Sequence, residues 1–386
     1  MLSSMFFRKY SDQSCIREWV FVAILILITI CSGCKKQLSS PLVNQYPLGE
    51  GSLVIPPAGS AYTGSYLAFG DTEDQLSLEK IEQFEKNVGK HQAIIAFSSF
   101  WGEQTFPSHN LDIISRHGSM PLIYWSPWDR PYEQDKGPDR FNLHAILSGQ
   151  WDAYIDMWAT SAKKFGHPLF VSWGLEMNGT WFPWSGCFYG APKTPVHTGG
   201  PQSPNVQKAI GPEIYKSAYR YVVNRVRKCG AKNILWVFHV NSYSYPLDNW
   251  NMIAQYYPGP NYVDWLGLSA YGIQFKDESW VTVKDTFYYP YLAVCALDPH
   301  KPIMMAEWGI ADFPKFGDKA AWLTEAFGML SSQFPRLKAA IVWNERWQND
   351  DKSFSNLRVT SSLESLEAYR AGVASPFWLG NPILKK

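Results

Sequence analysis

The chain has 386 residues, of which 18% are charged, and a formal net charge of +1. That balance leaves no basic stripe for nucleic acid and no long run of one sign, and it excludes the function classes that depend on either. The length can bury a large core, and an α/β barrel of about 250–400 residues can be one domain.

Taken in chain order, Arg8, Lys9 and Arg17 precede an apolar stretch at 19–30. The stretch is short for a bilayer span and suits the core of a signal peptide. It ends in Cys31-Ser-Gly-Cys34-Lys-Lys. Small residues before a cysteine resemble the bacterial lipobox, although Cys31 stands where Leu, Val or Ile is usual. The resemblance implies lipidation at Cys34. Residues 1–33 are therefore expected to be a lipoprotein-type signal and 34–59 a tether and lead-in. The protein is expected to be exported and lipid-anchored at the cell envelope, at the outer membrane or cell surface, and otherwise secreted or periplasmic. Cys187, Cys229 and Cys295 remain in the body. They form neither a disulfide framework nor a metal spacing, and unpaired thiols are expected.

From residue 60 onward short apolar runs alternate with amphipathic stretches, the pattern of βα units around a parallel sheet. The strands are predicted at 65–69, 93–97, 121–125, 169–173, 234–238, 263–268, 302–306 and 339–343. The clearest helices are predicted at 75–88, 150–165, 212–229 and 319–333, with a last helix at 361–370. Eight such units close into a single (β/α)8 TIM barrel, expected over 60–375, with 376–386 left as a tail without an assigned role. An open doubly wound sheet is the competing architecture, but no glycine-rich nucleotide loop follows the first strand.

Active sites of this fold lie at the C-terminal ends of the strands. Trp101, Trp128, Glu176, His239, Asn241, Tyr271 and Glu307 follow successive runs there, and Trp343 closes the last. Glu176 and Glu307 each end an apolar run inside a tryptophan-rich stretch. Two carboxylates facing one cleft can cleave a glycosidic bond, and in a retaining enzyme they stand about 5–5.5 Å apart. Trp101, Trp128, Trp181 and Trp184 offer flat faces for sugar rings, whereas Trp125 and Trp173 fall within strand runs and read as core. The segment 186–211 is rich in Pro, Gly, Ser and Thr, and is read as one wall of the cleft.

Glu176-Met-Asn-Gly-Thr-Trp-Phe-Pro-Trp184 resembles the acid/base motif of glycoside hydrolase family 26. The segments 262–272, 301–309, 233–238 and 340–344 resemble, respectively, that family's sixth strand, its nucleophile strand, and its fifth and eighth strands. The resemblance implies a retaining (β/α)8 hydrolase, most often an endo-β-1,4-mannanase. Glu176 would be the acid/base and Glu307 the nucleophile, Tyr271 would hydrogen-bond the nucleophile, and Trp343 would floor the subsite of the sugar under attack.

The family's His before the acid/base and its Arg four before are replaced by Leu175 and Ser172. His239 or Asn241 is expected to supply the missing donor. The expected partner is a β-linked polysaccharide, most simply mannan or glucomannan, acted on by a monomer that needs no cofactor or metal. The alternatives are a β-1,3/1,4-glucanase, a β-1,3-xylanase, an exopolysaccharide hydrolase, or a barrel that binds glycan without cutting it.

Overall fold

The computed structural model describes residues 48, 51–70, 73–129, 138–190 and 209–385. The leader with Cys34, and 191–208 of the expected cleft wall, lie outside the described residues. Among the described residues eight parallel strands close into a barrel: β1 Ala61–Leu67, β2 Ile94–Phe100, β3 Met120–Ser126, β4 Leu169–Trp173, β5 Ile234–Asn241, β6 Trp265–Tyr271, β7 Ile303–Gly309 and β8 Leu337–Asn344. Each pairs with the next, and β1 closes on β8 from Tyr62↔Ala339 to Leu67↔Asn344. The helices α1 Leu78–Val88, α2 Ser108–His117, α3 Leu143–Leu147, α4 Asp152–Phe165, α5 Gly211–Lys228, α6 Ile253–Tyr256, α7 Val283–Cys295, α8 Lys319–Ser332 and α9 Leu363–Val373 fall between the strands or after them. The expected (β/α)8 barrel is the observed one.

Every residue of β1, β3, β4 and β7 is buried, because the strands are covered by helices on one side and by the barrel filling on the other. Helix ends are set locally. Ser77 caps α1 by accepting from Lys80 N–H, and Gly89 closes it in the left-handed conformation. Asp318 does the same for the first turn of α8 through Ala321 N–H.

Most predicted strands stop short of the observed ones at the mouth. The apolar run ends where the core ends, but the parallel ladder continues, so His239, Asn241, Tyr271 and Glu307 are strand residues. β1 runs from 61 to 67 rather than 65 to 69, since Thr63, Gly64 and Ser65 dilute its apolar signal. Helix α7 escapes the periodicity reading because Pro290 lies inside it, and α2 because its sequence SHNLDIISRH is poor in strong helix formers.

Residues 376–385, within the expected tail, carry two short strands. Trp378–Leu379 adds in parallel to β1, and Leu384–Lys385 pairs antiparallel with Ser52–Leu53 of the lead-in. Tyr62 ties the two together, donating to Val54 O and accepting from Ile383 N–H. Both ends of the described chain are thus fastened to the barrel floor. After β8 a hairpin, Arg346–Gln348 against Phe354–Asn356, stands beside the mouth. Lys319 holds it from beneath through Asn356 O and Arg358 O, and burial brings the Lys319 amine down to about 7.

Candidate active site

The turn after β4 is built around a strained residue. Glu176 has φ +52°, a left-handed conformation that a glutamate adopts only when its surroundings compel it. Its N–H donates to His239 O on β5, and Gly179 N–H returns to its carbonyl. Trp184 Nε1 donates to Leu175 O, and Tyr215 OH to Gly174 O. A Cβ on Gly179 would stand 2.5 Å from the Trp181 indole, so only glycine lets that ring lie across the turn. The ring is thereby aimed back, and Trp181 Nε1 donates to Glu176 Oε2 at 2.8 Å.

Glu307 arises differently, within β7. The β6–β7 register shifts between Leu268 and Ser269, and the β7–β8 register between Met305 and Trp308. Such irregularities re-aim side chains at barrel rims. Tyr271 OH, on β6, donates to Glu307 Oε2 at 2.7 Å.

Both carboxyls are enclosed, Glu176 8% and Glu307 7% exposed. Burial raises both, and the Glu176 charge pushes Glu307 further, well above the usual carboxylate range. Ser269 and Trp181 counter the burial of Glu176 with hydrogen bonds, and Tyr271 does so for Glu307. Ser269 also sits opposite Glu307 in the β6–β7 ladder, so one residue borders both carboxyls. The phenols of Tyr271 and Tyr124 are raised first by burial and then by the charges of Glu307 and Glu176 together. The Glu176 charge reaches Glu307, and both reach Tyr271 and Tyr124, so the two glutamates share one enclosure.

His239 does not reach toward the cleft. It is 1% exposed, with Nδ1 at 3.1 Å from Ser172 Oγ and Nε2 at 2.7 Å from Ser269 Oγ. Burial brings it down to about 3, so the ring is neutral. Ser269 Oγ thus lies at Nε2 and also lowers the Glu176 carboxyl, while Ser172 Oγ lies at Nδ1. His239, expected to serve a sugar hydroxyl, is enclosed instead: its two nitrogens face Ser172 and Ser269, a relay that leads toward Glu176. Asn241 is half-buried at the rim, with its Nδ2 donating to Tyr243 O. Leu175 is buried among core residues.

The tryptophans separate into two sets. Trp101 is fully buried and packs on Trp125, Phe141 and Tyr154. Trp184 is buried with its ring stacked on Phe182, and Trp128 is buried edge-on to both. These three were expected as sugar platforms. In the structure they are the packing beneath the rim. Trp181 and Trp343 are half-buried and keep surface at the mouth. Trp343 lies parallel to Tyr66 at 3.7 Å and donates to Glu345 Oε2.

Besides Ser269, Tyr124 and Tyr66, the sequence reading missed Tyr243, Tyr245 and Glu73. Tyr243 and Tyr245, 42% and 43% exposed, extend the aromatic rim after β5, and Tyr245 stands 5.7 Å from Trp181. Their sequence, Tyr243-Ser-Tyr245-Pro246, carried the signal. Glu73, after β1, is a third buried carboxyl. It accepts from Tyr66 OH at 3.1 Å and from Ser98, and burial raises it to about 8. It follows the first predicted strand, 65–69, but lies outside any tryptophan-rich stretch.

No helix among the described residues is long and apolar enough to cross a membrane, and Cys187, Cys229 and Cys295 carry thiols rather than disulfides.

Endoglucanase H of Acetivibrio thermocellus is 28% identical over 305 residues, 78% of this chain and 29% of its own length. A mannan endo-1,4-β-mannosidase of Bacillus subtilis is 29% identical over 204 residues, 53% of this chain and 45% of its own. The chain thus spans less than half the length of either relative. The solved structure of a Cellulomonas fimi endo-β-1,4-mannanase double mutant superposes with a TM-score of 0.57 at 19% identity, covering 83% of this chain and 72% of that one, a likeness of fold. The family model for glycosyl hydrolase family 26 matches residues 115–325, more than half of the chain and a span that takes in both Glu176 and Glu307. The chain belongs to glycosyl hydrolase family 26.

Proposed function

We propose that the protein is an endo-acting, retaining β-glycanase that cleaves β-1,4-mannan or glucomannan, with Glu307 as nucleophile and Glu176 as acid/base. The observation that carries this reading is the shared enclosure of the two carboxyls, bordered by Ser269 and felt together by Tyr271 and Tyr124.

In the first step Glu307 attacks the anomeric carbon as the glycosidic C–O bond breaks, and Glu176 gives its proton to the departing oxygen. In the second, water attacks the same carbon, returns a proton to Glu176, and Glu307 leaves as carboxylate. Two carboxyls and water suffice. The pair holds one proton between pH values at which neither or both are ionised. In the free site Glu176 has two donors and Glu307 one, which favours the proton on Glu307. Positive charge developing at the anomeric carbon faces Glu307 and draws the proton to Glu176, where the leaving oxygen needs it. Tyr271 fixes the attacking carboxyl, and Trp343, braced by Tyr66, offers an apolar floor to the sugar.

The Bacillus subtilis relative supports mannan as substrate. One observation favours a second reading, a β-glucan. Leu175 stands where the acid/base motif resembled here has His, and the endoglucanase relative aligns with more of this chain than the mannosidase does. Incubation with galactomannan, glucomannan, mixed-linkage glucan and β-1,3-xylan, followed by assay of new reducing ends, decides among them. Release from mannans that Glu307→Ala abolishes is the expected result. Binding without cleavage of any of the four would make the barrel a glycan-binding protein instead.

We further infer export and attachment of a lipid at Cys34, the chain acting as a monomer. Mass spectrometry of the mature N-terminus tests the lipid, and an unmodified Cys34 in membrane fractions would refute it.

A further inference from the structure

The floor of the barrel, opposite the mouth, holds a side-chain cluster that the proposed chemistry does not use. Glu85 lies in the last turns of α1, His91 in the connection to β2, and His117 at the end of α2. His91 Nδ1 stands 2.8 Å from Glu85 Oε1, and His117 Nε2 stands 3.2 Å from Glu85 Oε2. The two imidazole centroids are 4.5 Å apart. One ligand atom from each of the three residues lies within 4.8 Å of the other two.

Counting hydrogens shows that a positive centre belongs here. Ser119 Oγ donates its single hydrogen to Gln92 O at 2.6 Å. Toward His117 Nδ1, 2.8 Å away, it can only accept, so Nδ1 carries a hydrogen. In a neutral ring the lone pair is then on Nε2, which faces a carboxylate oxygen. Two acceptors do not hold each other at 3.2 Å; a second proton on His117 or a cation between them must do so. Glu85 is itself oriented by Gln92 N–H, which donates to Oε1 at 2.7 Å. His91 is fixed only through Nδ1, since its Nε2 has no hydrogen-bond partner.

The set has the chemistry and spacing of a metal site. A tetrahedral zinc-class ion about 2.0–2.1 Å from nitrogen and 2.0–2.2 Å from oxygen separates its ligand atoms by about 3.3 Å. The contacts at 2.8 and 3.2 Å engage the two different oxygens of Glu85, and one ligand atom from each residue lies within 4.8 Å of the others, so an ion between them would draw the three groups together. Ser119 orients His117 through the nitrogen that faces away from Glu85, as outer partners of metal-bound histidines do. The side chains of His91 and Glu85 are 18% and 15% exposed, so the cluster is not sealed from solvent.

We propose that Glu85, His91 and His117 bind one divalent transition-metal ion of the zinc class, which staples α1, α2 and the start of β2 at the barrel floor. The site is independent of the glycanase reading, being at the other end of the strands, and its test does not use activity.

The full chain, stripped with a chelator and dialysed, is titrated with zinc chloride by calorimetry and with cobalt(II) chloride by visible absorption. The expected result is one equivalent bound, the intense visible bands of tetrahedral cobalt(II), and a zinc-dependent rise in Tm. His91→Ala and Glu85→Gln should each weaken binding at least about tenfold. In the wild type, zinc should move the ring nitrogen resonances of two of the eight histidines, a readout that needs no variant to fold. Absence of saturable binding to the folded wild type overturns the proposal and leaves a second proton on His117 as the positive centre. Binding that His91→Ala leaves intact, or that shifts other histidines, places the ion elsewhere and overturns it equally.

Discussion

Glu307 on a strand at the mouth and Glu85 on helix α1 at the floor are glutamates of one fold, and burial acts on both in the same direction. At the mouth it prevails. Glu307 has a phenol donor and a second carboxyl nearby, and is held well above the usual carboxylate range. At the floor burial is outweighed by His117 and His91, whose hydrogen bonds and charge bring Glu85 down to about 2. The difference lies in the partners each strand end supplies. The floor pairs its acid with basic rings and backbone N–H groups. The mouth crowds acids and phenols together, leaves φ of Glu176 strained, and interrupts the ladder beside Glu307. The floor sets its acid against groups of opposite charge, and the end we propose as reactive keeps like charges together.

The largest effect that could break this contrast is chemical. Glu307→Ala should abolish release of reducing ends while leaving Tm within a few degrees, whereas a loss of fold would make Glu307 a structural acid like Glu85. Glu176→Gln should lower kcat by about 10²–10⁴-fold. It should also lower the Glu307 pKa, since the second cause of its elevation disappears; an unchanged carboxyl titration by infrared difference spectroscopy would refute the coupling.

Third in size is Trp101→Ala. A fully buried ring of this kind costs about 3–5 kcal/mol on truncation, and denaturant unfolding should show that loss without a change in KM. A large change in KM at unchanged stability would return Trp101 to the cleft.

Glu73→Gln tests the third acid at the mouth. Its folded pKa, about 8, lies above that of the unfolded chain. Between roughly pH 4.5 and 8 the unfolded chain releases this proton and the folded one keeps it, so the residue lowers stability as pH rises. The variant should flatten that decline, by a few kcal/mol at about pH 9, in urea unfolding across pH. A parallel pH dependence in wild type and variant would show that Glu73 is ionised in the fold.

Smallest is Ser269→Ala. It removes a donor from Glu176, so the Glu176 pKa should rise and the alkaline limb of kcat/KM should move up by about one unit or less. His239→Ala should shift it the same way through Ser269. A shift with His239→Ala but none with Ser269→Ala would break the relay.

Much of the barrel was legible along the chain. Buried parallel strands write themselves as apolar runs, and helices between them as periodic ones. Glu176 and Glu307 stood out because a carboxyl at the end of such a run has no place in a core. The rim tryptophans were less legible, since nothing local distinguishes Trp101, turned under the loop, from Trp181, held over Glu176 by the absence of a side chain at Gly179. The pairing of 378–379 with β1 was silent for a related reason: two residues are too short to show a period.

By itself the sequence determined the βα alternation, the two acids and the family motif around Glu176, because these are properties of neighbours in the chain. Only the tertiary structure decided that His239 is buried between Ser172 and Ser269, that burial raises Glu73, and that Glu85 meets two imidazoles. Those outcomes depend on hydrogen bonds and fields between residues tens of positions apart, and such contacts exist only once the barrel has closed.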